Sequence, residues 1–60
     1  MIVSLKLKSG TEVEADGGHV KVFSSCAILY DEDDNIVIAY CLIPGEIVRR
    51  VEEGKYVVEY

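Results

Sequence analysis

Apolar and polar residues alternate along most of this 60-residue chain, and in one place the alternation stops. Val3, Leu5 and Leu7 alternate with Ser4, Lys6 and Lys8, which predicts a strand with one buried face. Ser9-Gly10 marks a turn, and Val13 and Ala15 then alternate with Glu12 and Glu14 in a second half-buried strand. Lys6 and Lys8 are placed to face Glu12 and Glu14 across that hairpin. Asp16-Gly17-Gly18 breaks the pattern, and residues 19–23 resume it with Val20 and Val22 on one side and His19, Lys21 and Phe23 on the other.

The exception is Ile36-Val37-Ile38-Ala39-Tyr40-Cys41-Leu42-Ile43, eight residues without a polar side chain other than the tyrosine hydroxyl and the thiol. Successive strand residues point to opposite faces, so this strand is apolar on both. The segment before it, Cys26-Ala27-Ile28-Leu29-Tyr30, is nearly as apolar, and Asp31-Glu32-Asp33-Asp34-Asn35 joins the two as a hairpin loop. A loop centred between Asp33 and Asp34 pairs Tyr30 with Val37, Ile28 with Ala39 and Cys26 with Cys41 on one side, and Leu29 with Ile38 and Ala27 with Tyr40 on the other. Pro44-Gly45 ends the long strand. One short helical turn near residues 45–48 leads into the next strand. Glu53-Gly54 is a turn, and a terminal strand places Tyr56, Val58 and Tyr60 on one face. The whole reads as one all-β domain over residues 1–60, a small five- to seven-stranded bent-sheet barrel with at most that one helical turn.

A domain of this length buries only about 60% of its unfolded surface, and its stability is marginal without a disulfide, a metal or a partner chain. Half the residues are hydrophobic and the mean hydropathy is +0.21, too apolar for a disordered segment. The hairpin over residues 26–43 is therefore expected to keep one face in its own barrel and lay the other against a second copy. Its interface candidates are Ile28, Tyr30, Ile36, Ile38, Tyr40 and Leu42. No stretch has the length of a membrane span and the N-terminus has no leader pattern, so a cytoplasmic location is expected. Eleven acidic against six basic side chains, a net charge of −5, argue against general affinity for nucleic acid.

Few residues point to chemistry. Five consecutive polar residues in the acidic loop lack the glycine and distal glutamate of a calcium loop. Two cysteines without Cys-x-x-Cys spacing do not make a zinc site. No metal, cofactor or enzymatic activity is expected. Cys26 and Cys41 read as free thiols, with a cross-strand bond open to them in some registers. A thiol nucleophile with His19 as base lacks an orienting group. His19 is the only histidine of the chain and follows two glycines at a strand start. Arg49-Arg50, if in a strand, point to opposite faces, and one pairs with Glu46, Glu52 or Glu53. His19, Arg49, Arg50 and Tyr56 are the candidates for contact with a ligand or partner.

Gly45-Glu46-Ile47-Val48-Arg49-Arg50-Val51 resembles the second signature of Sm-like proteins, and Leu5-Lys6-Leu7-Lys8-Ser9-Gly10-Thr11 resembles that family's opening strand–turn–strand. Pro44 stands where the family has a basic residue, and its N-terminal helix is missing. The resemblance implies a bent barrel, ring assembly and, in the family, RNA binding. Asp34-Asn35-Ile36-Val37-Ile38-Ala39-Tyr40 and Ile47-Val48-Arg49-Arg50-Val51 also resemble short SH3-like β-proteins of phages and prophages, which implies binding of a host protein or sequestration of a small ligand. The leading expectation is a non-enzymatic interaction protein that forms homo-oligomers through its central hairpin and binds such a partner. The alternatives are a Sm-like RNA-binding ring and an acidic mimic of nucleic acid built on residues 31–34, Glu52 and Glu53.

Overall fold

The computed structural model describes residues 1–60. It contains seven strands and no helix: β1 (Ile2–Lys6), β2 (Glu12–Asp16), β3 (His19–Val22), β4 (Cys26–Tyr30), β5 (Ile36–Cys41), β6 (Ile47–Glu52) and β7 (Lys55–Glu59). They form two sheets, one in the order β2-β1-β7-β6 and one in the order β3-β4-β5. All neighbours are antiparallel except β1 and β7, which run parallel with Leu5 opposite Tyr56. The predicted helical turn near residues 45–48 is absent. Gly45 takes φ +92°, outside the helical range, Glu46 N–H closes a turn on the carbonyl of Ile43, and the chain is extended from Ile47 onward.

The alternating residues of both sheets meet in a thin core. Val3, Ala15 and Leu29 form one buried cluster, with Val13, Val20, Ile38 and Tyr56 packed against it. Leu5, Ala27 and Val58 form the other, flanked by Leu7, Ile38, Tyr40, Leu42, Val48 and Tyr56. Ile38 and Tyr56 touch both clusters and join them. Only nine of the 60 residues are buried, so the domain has little apolar burial to spare.

The polar side of β1 holds one exception to the predicted pattern. Ser4, expected on the solvent face, is 3% exposed and its hydroxyl has no hydrogen-bond partner. β1 is an interior strand of its sheet, with Glu14 of β2 and Lys55 of β7 in register on either side of Ser4. Long charged side chains cover a short neighbour with their methylene stems.

The two sheets connect at opposite corners. Gly17-Gly18 turns β2 into β3, and the backbone at Gly18 lies so close to the carbonyl of Tyr30 that no side chain fits between them. At the other corner, Glu46 is buried and accepts hydrogen bonds from the Ile43 N–H at 2.9 Å and from the Tyr40 hydroxyl. Burial first, then the bond and the negative charge of Glu46, raise the pKa of Tyr40 above its ordinary value.

Candidate interaction surfaces

No pocket indents the structure, which leaves strand edges and sheet faces to compare. The hairpin of β4 and β5 is built largely as its alternation predicts. Cys26 pairs with Cys41, Ala27 with Tyr40, Ile28 with Ala39 and Leu29 with Ile38. Tyr30 pairs with Ile36, where Val37 was expected, because the register shifts between Leu29 and Tyr30. The loop explains the shift. Asp31 N–H bonds to the Asn35 carbonyl, so the turn is centred on Asp33, half a residue from the centre of the sheet pairing. Val37 is the extra residue that absorbs the difference as a bulge. The loop is held by the Asp31 carboxylate, which accepts the N–H groups of Asp33 and Asn35 at 2.9 Å each, while Asp34 takes the left-handed φ of +64° that Asp tolerates. The backbone bond from Asn35 leads in lowering the pKa of Asp31, with burial opposing it and the other bonds from Asp33 and Asn35 adding to it.

The six interface candidates divide between two faces. Ile38, Tyr40 and Leu42 point inward and pack against the core clusters. Ile28 and Tyr30 lie on the opposite face, away from the buried Ala27 and Leu29, and are half-buried. Ile36 is 60% exposed. Alternation identifies both sets as strand residues, but only the packing of the second sheet decides which set it covers.

On the outer face of the three-stranded sheet, His19 stacks on Tyr30 with ring centroids 4.8 Å apart, and its Nε2 lies 3.7 Å from Asp34 Oδ1. Lys21 Nζ sits 5.5 Å from the centre of the same Tyr30 ring. His19 is in register with Tyr30 at one end of β4, and the cysteine pair is at the other end. Four strand residues span about 13 Å, so the structure separates the thiols from the imidazole.

The remaining candidates are dispersed. Arg49 holds Glu59 in a two-point ion pair, Nε to Oε2 at 3.0 Å and Nη2 to Oε1 at 3.1 Å. Its partner is thus a residue of β7, where Glu46, Glu52 or Glu53 was expected, because antiparallel pairing brings Glu59 beside it. The bond raises the Arg49 pKa, and the same bond leads in holding the Glu59 carboxyl below its ordinary value, with lesser help from the charges of Arg49 and Lys8. Arg50 is exposed opposite Tyr56, which is half-buried between the core clusters. Lys8 lies 4.1 Å above the Tyr60 ring, away from the predicted carboxylates of the first hairpin. Lys6 does sit in register with Glu12, but Ser4 takes the place opposite Glu14.

The edges differ in their chemistry. The edge strand β2 carries Glu12, Glu14 and Asp16; β3 carries His19 and Lys21; β6 carries Arg49, Arg50 and Glu52. The edge strand β5 carries no charge and no proline. Its main-chain bonding alternates: Leu42 N–H bonds to Ser25 O at 2.9 Å, so Leu42, Tyr40 and Ile38 face β4, and the N–H and C=O groups of Cys41 and Ala39 face outward, up to the bulge at Val37. No helix of the structure is long and apolar enough to cross a membrane. The chain matches no known protein family, no curated protein and no solved structure.

Proposed function

We propose that this chain is a non-enzymatic interaction module that pairs with a second copy of itself through the outer edge of β5 and presents the joined sheet to a partner protein. The observation that supports this reading is the contrast among the four edges. Exposed edges template further strands unless charge, proline or distortion blunts them, and β5 alone is left without charge along its length, its distortion confined to the bulge at Val37 beside the loop. A thin core adds to the reason for burying more apolar surface on association.

A second copy fits this edge better in one orientation. An antiparallel pairing of β5 about Ala39 sets Val37 against Cys41 of the other copy. It sends the two acidic loops in opposite directions. Asp34 is five residues from Ala39, so the two loops stand about 33 Å apart, several Debye lengths at physiological salt. Each net main-chain bond contributes about 0.5–1.5 kcal/mol, against an association cost of about 4–15 kcal/mol. Pairing of this kind is expected to be weak and concentration-dependent.

The basic residues do not favour the RNA-ring alternative. Arg49 is engaged by Glu59, Lys55 lies 4.0 Å from Glu52, and Lys21 lies over Tyr30 on the other sheet. The mimic alternative requires free carboxylates in the acidic loop, where Asp31 spends Oδ1 on the N–H groups of Asp33 and Asn35 and Oδ2 on the side-chain amide of Asn35.

Ala39→Pro tests the reading. Proline removes an outward N–H and leaves the bonds to β4 in place. Sedimentation velocity over a series up to about 1 mM should show a dimer for the native chain and a folded monomer for Ala39→Pro. A native chain that stays monomeric throughout, or an Ala39→Pro variant that dimerises equally, overturns it. Pairing only with the strand of another protein would transfer the edge to that partner and refute self-assembly.

A further inference from the structure

We infer that Cys26 and Cys41 form a reversible intramolecular disulfide across β4 and β5. Three observations carry this. The two residues are directly opposed in register. Both side chains lie on the outer face, since their neighbours Ala27, Tyr40 and Leu42 pack inward. The pair also has no main-chain bonds between its members: Leu42 N–H bonds to Ser25 O one position further out, and the Cys26 carbonyl accepts from Phe23 N–H on the other side at 2.8 Å. Opposed residues of this type bring their Cα atoms to about 4.5 Å, at the short end of the about 4.4–6.8 Å that disulfides span. In the structure both are free thiols, Cys26 half-buried and Cys41 exposed.

The oxidant class is a low-molecular-weight disulfide such as oxidised glutathione. The exposed Cys41, as thiolate, attacks one sulfur of the oxidant, forming a mixed disulfide and releasing one glutathione thiolate. The Cys26 thiolate then attacks Sγ of Cys41, forming the Sγ–Sγ bond and releasing the second. The two protons lost by the protein thiols are taken up by the two leaving thiolates, so one disulfide is consumed and two thiols appear. Cys41 is exposed, and an exposed disulfide is the more readily reduced kind. The bond lies on the sheet face, so it leaves the outward N–H and C=O groups of the β5 edge unchanged, and this inference stands apart from the dimer.

The experiment incubates the full chain with mixtures of oxidised and reduced glutathione, blocks remaining thiols, and reads intact mass. The expected product of the native chain is a protein lighter by two hydrogens, without glutathione adducts, that returns to the dithiol as reduced glutathione is raised. Cys26→Ser and Cys41→Ser should each stop at a single adduct. Phenylarsine oxide, a probe that bridges neighbouring thiols, should add once to the reduced native chain and be lost from both variants. Stable glutathione adducts on both cysteines, covalent dimers through Cys41, or no bridging by the arsenical would overturn the inference.

Discussion

The Tyr40 hydroxyl donates to both carboxylate oxygens of Glu46, at 3.1 and 3.2 Å, and one of those oxygens also accepts the Ile43 N–H at 2.9 Å. Tyr40 belongs to the three-stranded sheet and Glu46 immediately precedes β6 of the four-stranded one. The contact therefore pins the corner at which the chain crosses between sheets. A buried carboxylate needs such donors, because an unpaired charge there is costly.

Tyr40→Phe should lower stability in urea denaturation by about 1–2 kcal/mol, because it removes a hydrogen bond to a charged group and leaves only the Ile43 N–H on that carboxylate. The raised Tyr40 pKa adds a pH signature. Stability from this group is present below the unfolded tyrosine value near about 10 and is lost as pH rises through the folded one. Native chain and Tyr40→Phe should converge in stability at alkaline pH.

At the opposite corner, Gly18→Ala should cost about 3 kcal/mol, since the added carbon meets the Tyr30 carbonyl and the Ala15 side chain with no space to yield. Gly10→Ala provides the contrast. Its added carbon meets nothing, so only the left-handed φ of +95° matters, at about 1–2 kcal/mol. Thermal unfolding of the two variants should rank them in that order.

Ser4→Ala should stabilise the protein by about 1 kcal/mol, because a buried hydroxyl without a partner carries its desolvation cost unrelieved. Loss of stability on that substitution would mean that the hydroxyl has a partner.

Ile38→Asp and Ala39→Lys should behave oppositely, although the residues are adjacent. Ile38 packs against both core clusters, so a charge there should cost about 4 kcal/mol or more and unfold much of the population. Ala39 is exposed on the outer face, so Ala39→Lys should keep a native circular dichroism spectrum.

Stability should also fall at acid pH. The carboxyls of Asp31 and Glu59 are held below their ordinary values by hydrogen bonds in the folded state. Their contribution is present above the unfolded values, about 3.9 and 4.3, and is lost as pH falls through the lower folded ones. Asp31→Asn and Glu59→Gln should each flatten the acid limb of a pH–stability profile.

Much of the fold is legible in the sequence, for local reasons. Alternation and unbroken apolar runs, punctuated by Ser9-Gly10, Gly17-Gly18, Ser24-Ser25, the acidic loop 31–35, Pro44-Gly45 and Glu53-Gly54, are enough to mark six or seven extended segments, because turn residues and alternation act within a few positions. The pairing of Cys26 with Cys41 and Leu29 with Ile38 follows from the loop between them. The bulge at Val37 does not, because it depends on the hydrogen bonds of the Asp31 carboxylate inside the turn.

Other features were decided only in three dimensions. The parallel contact of β1 with β7 joins the two ends of the chain, and no local pattern encodes it. Burial of Ser4 and Glu46, the choice of Glu59 as the partner of Arg49, and the sorting of Ile38, Tyr40 and Leu42 into the core all follow from which sheet packs on which. The two-faced apolar character of residues 36–43 was determined by sequence alone. Which face the protein covers itself, and which edge it leaves bare, was set by the second sheet, since a strand apolar on both sides carries no local signal to choose between them.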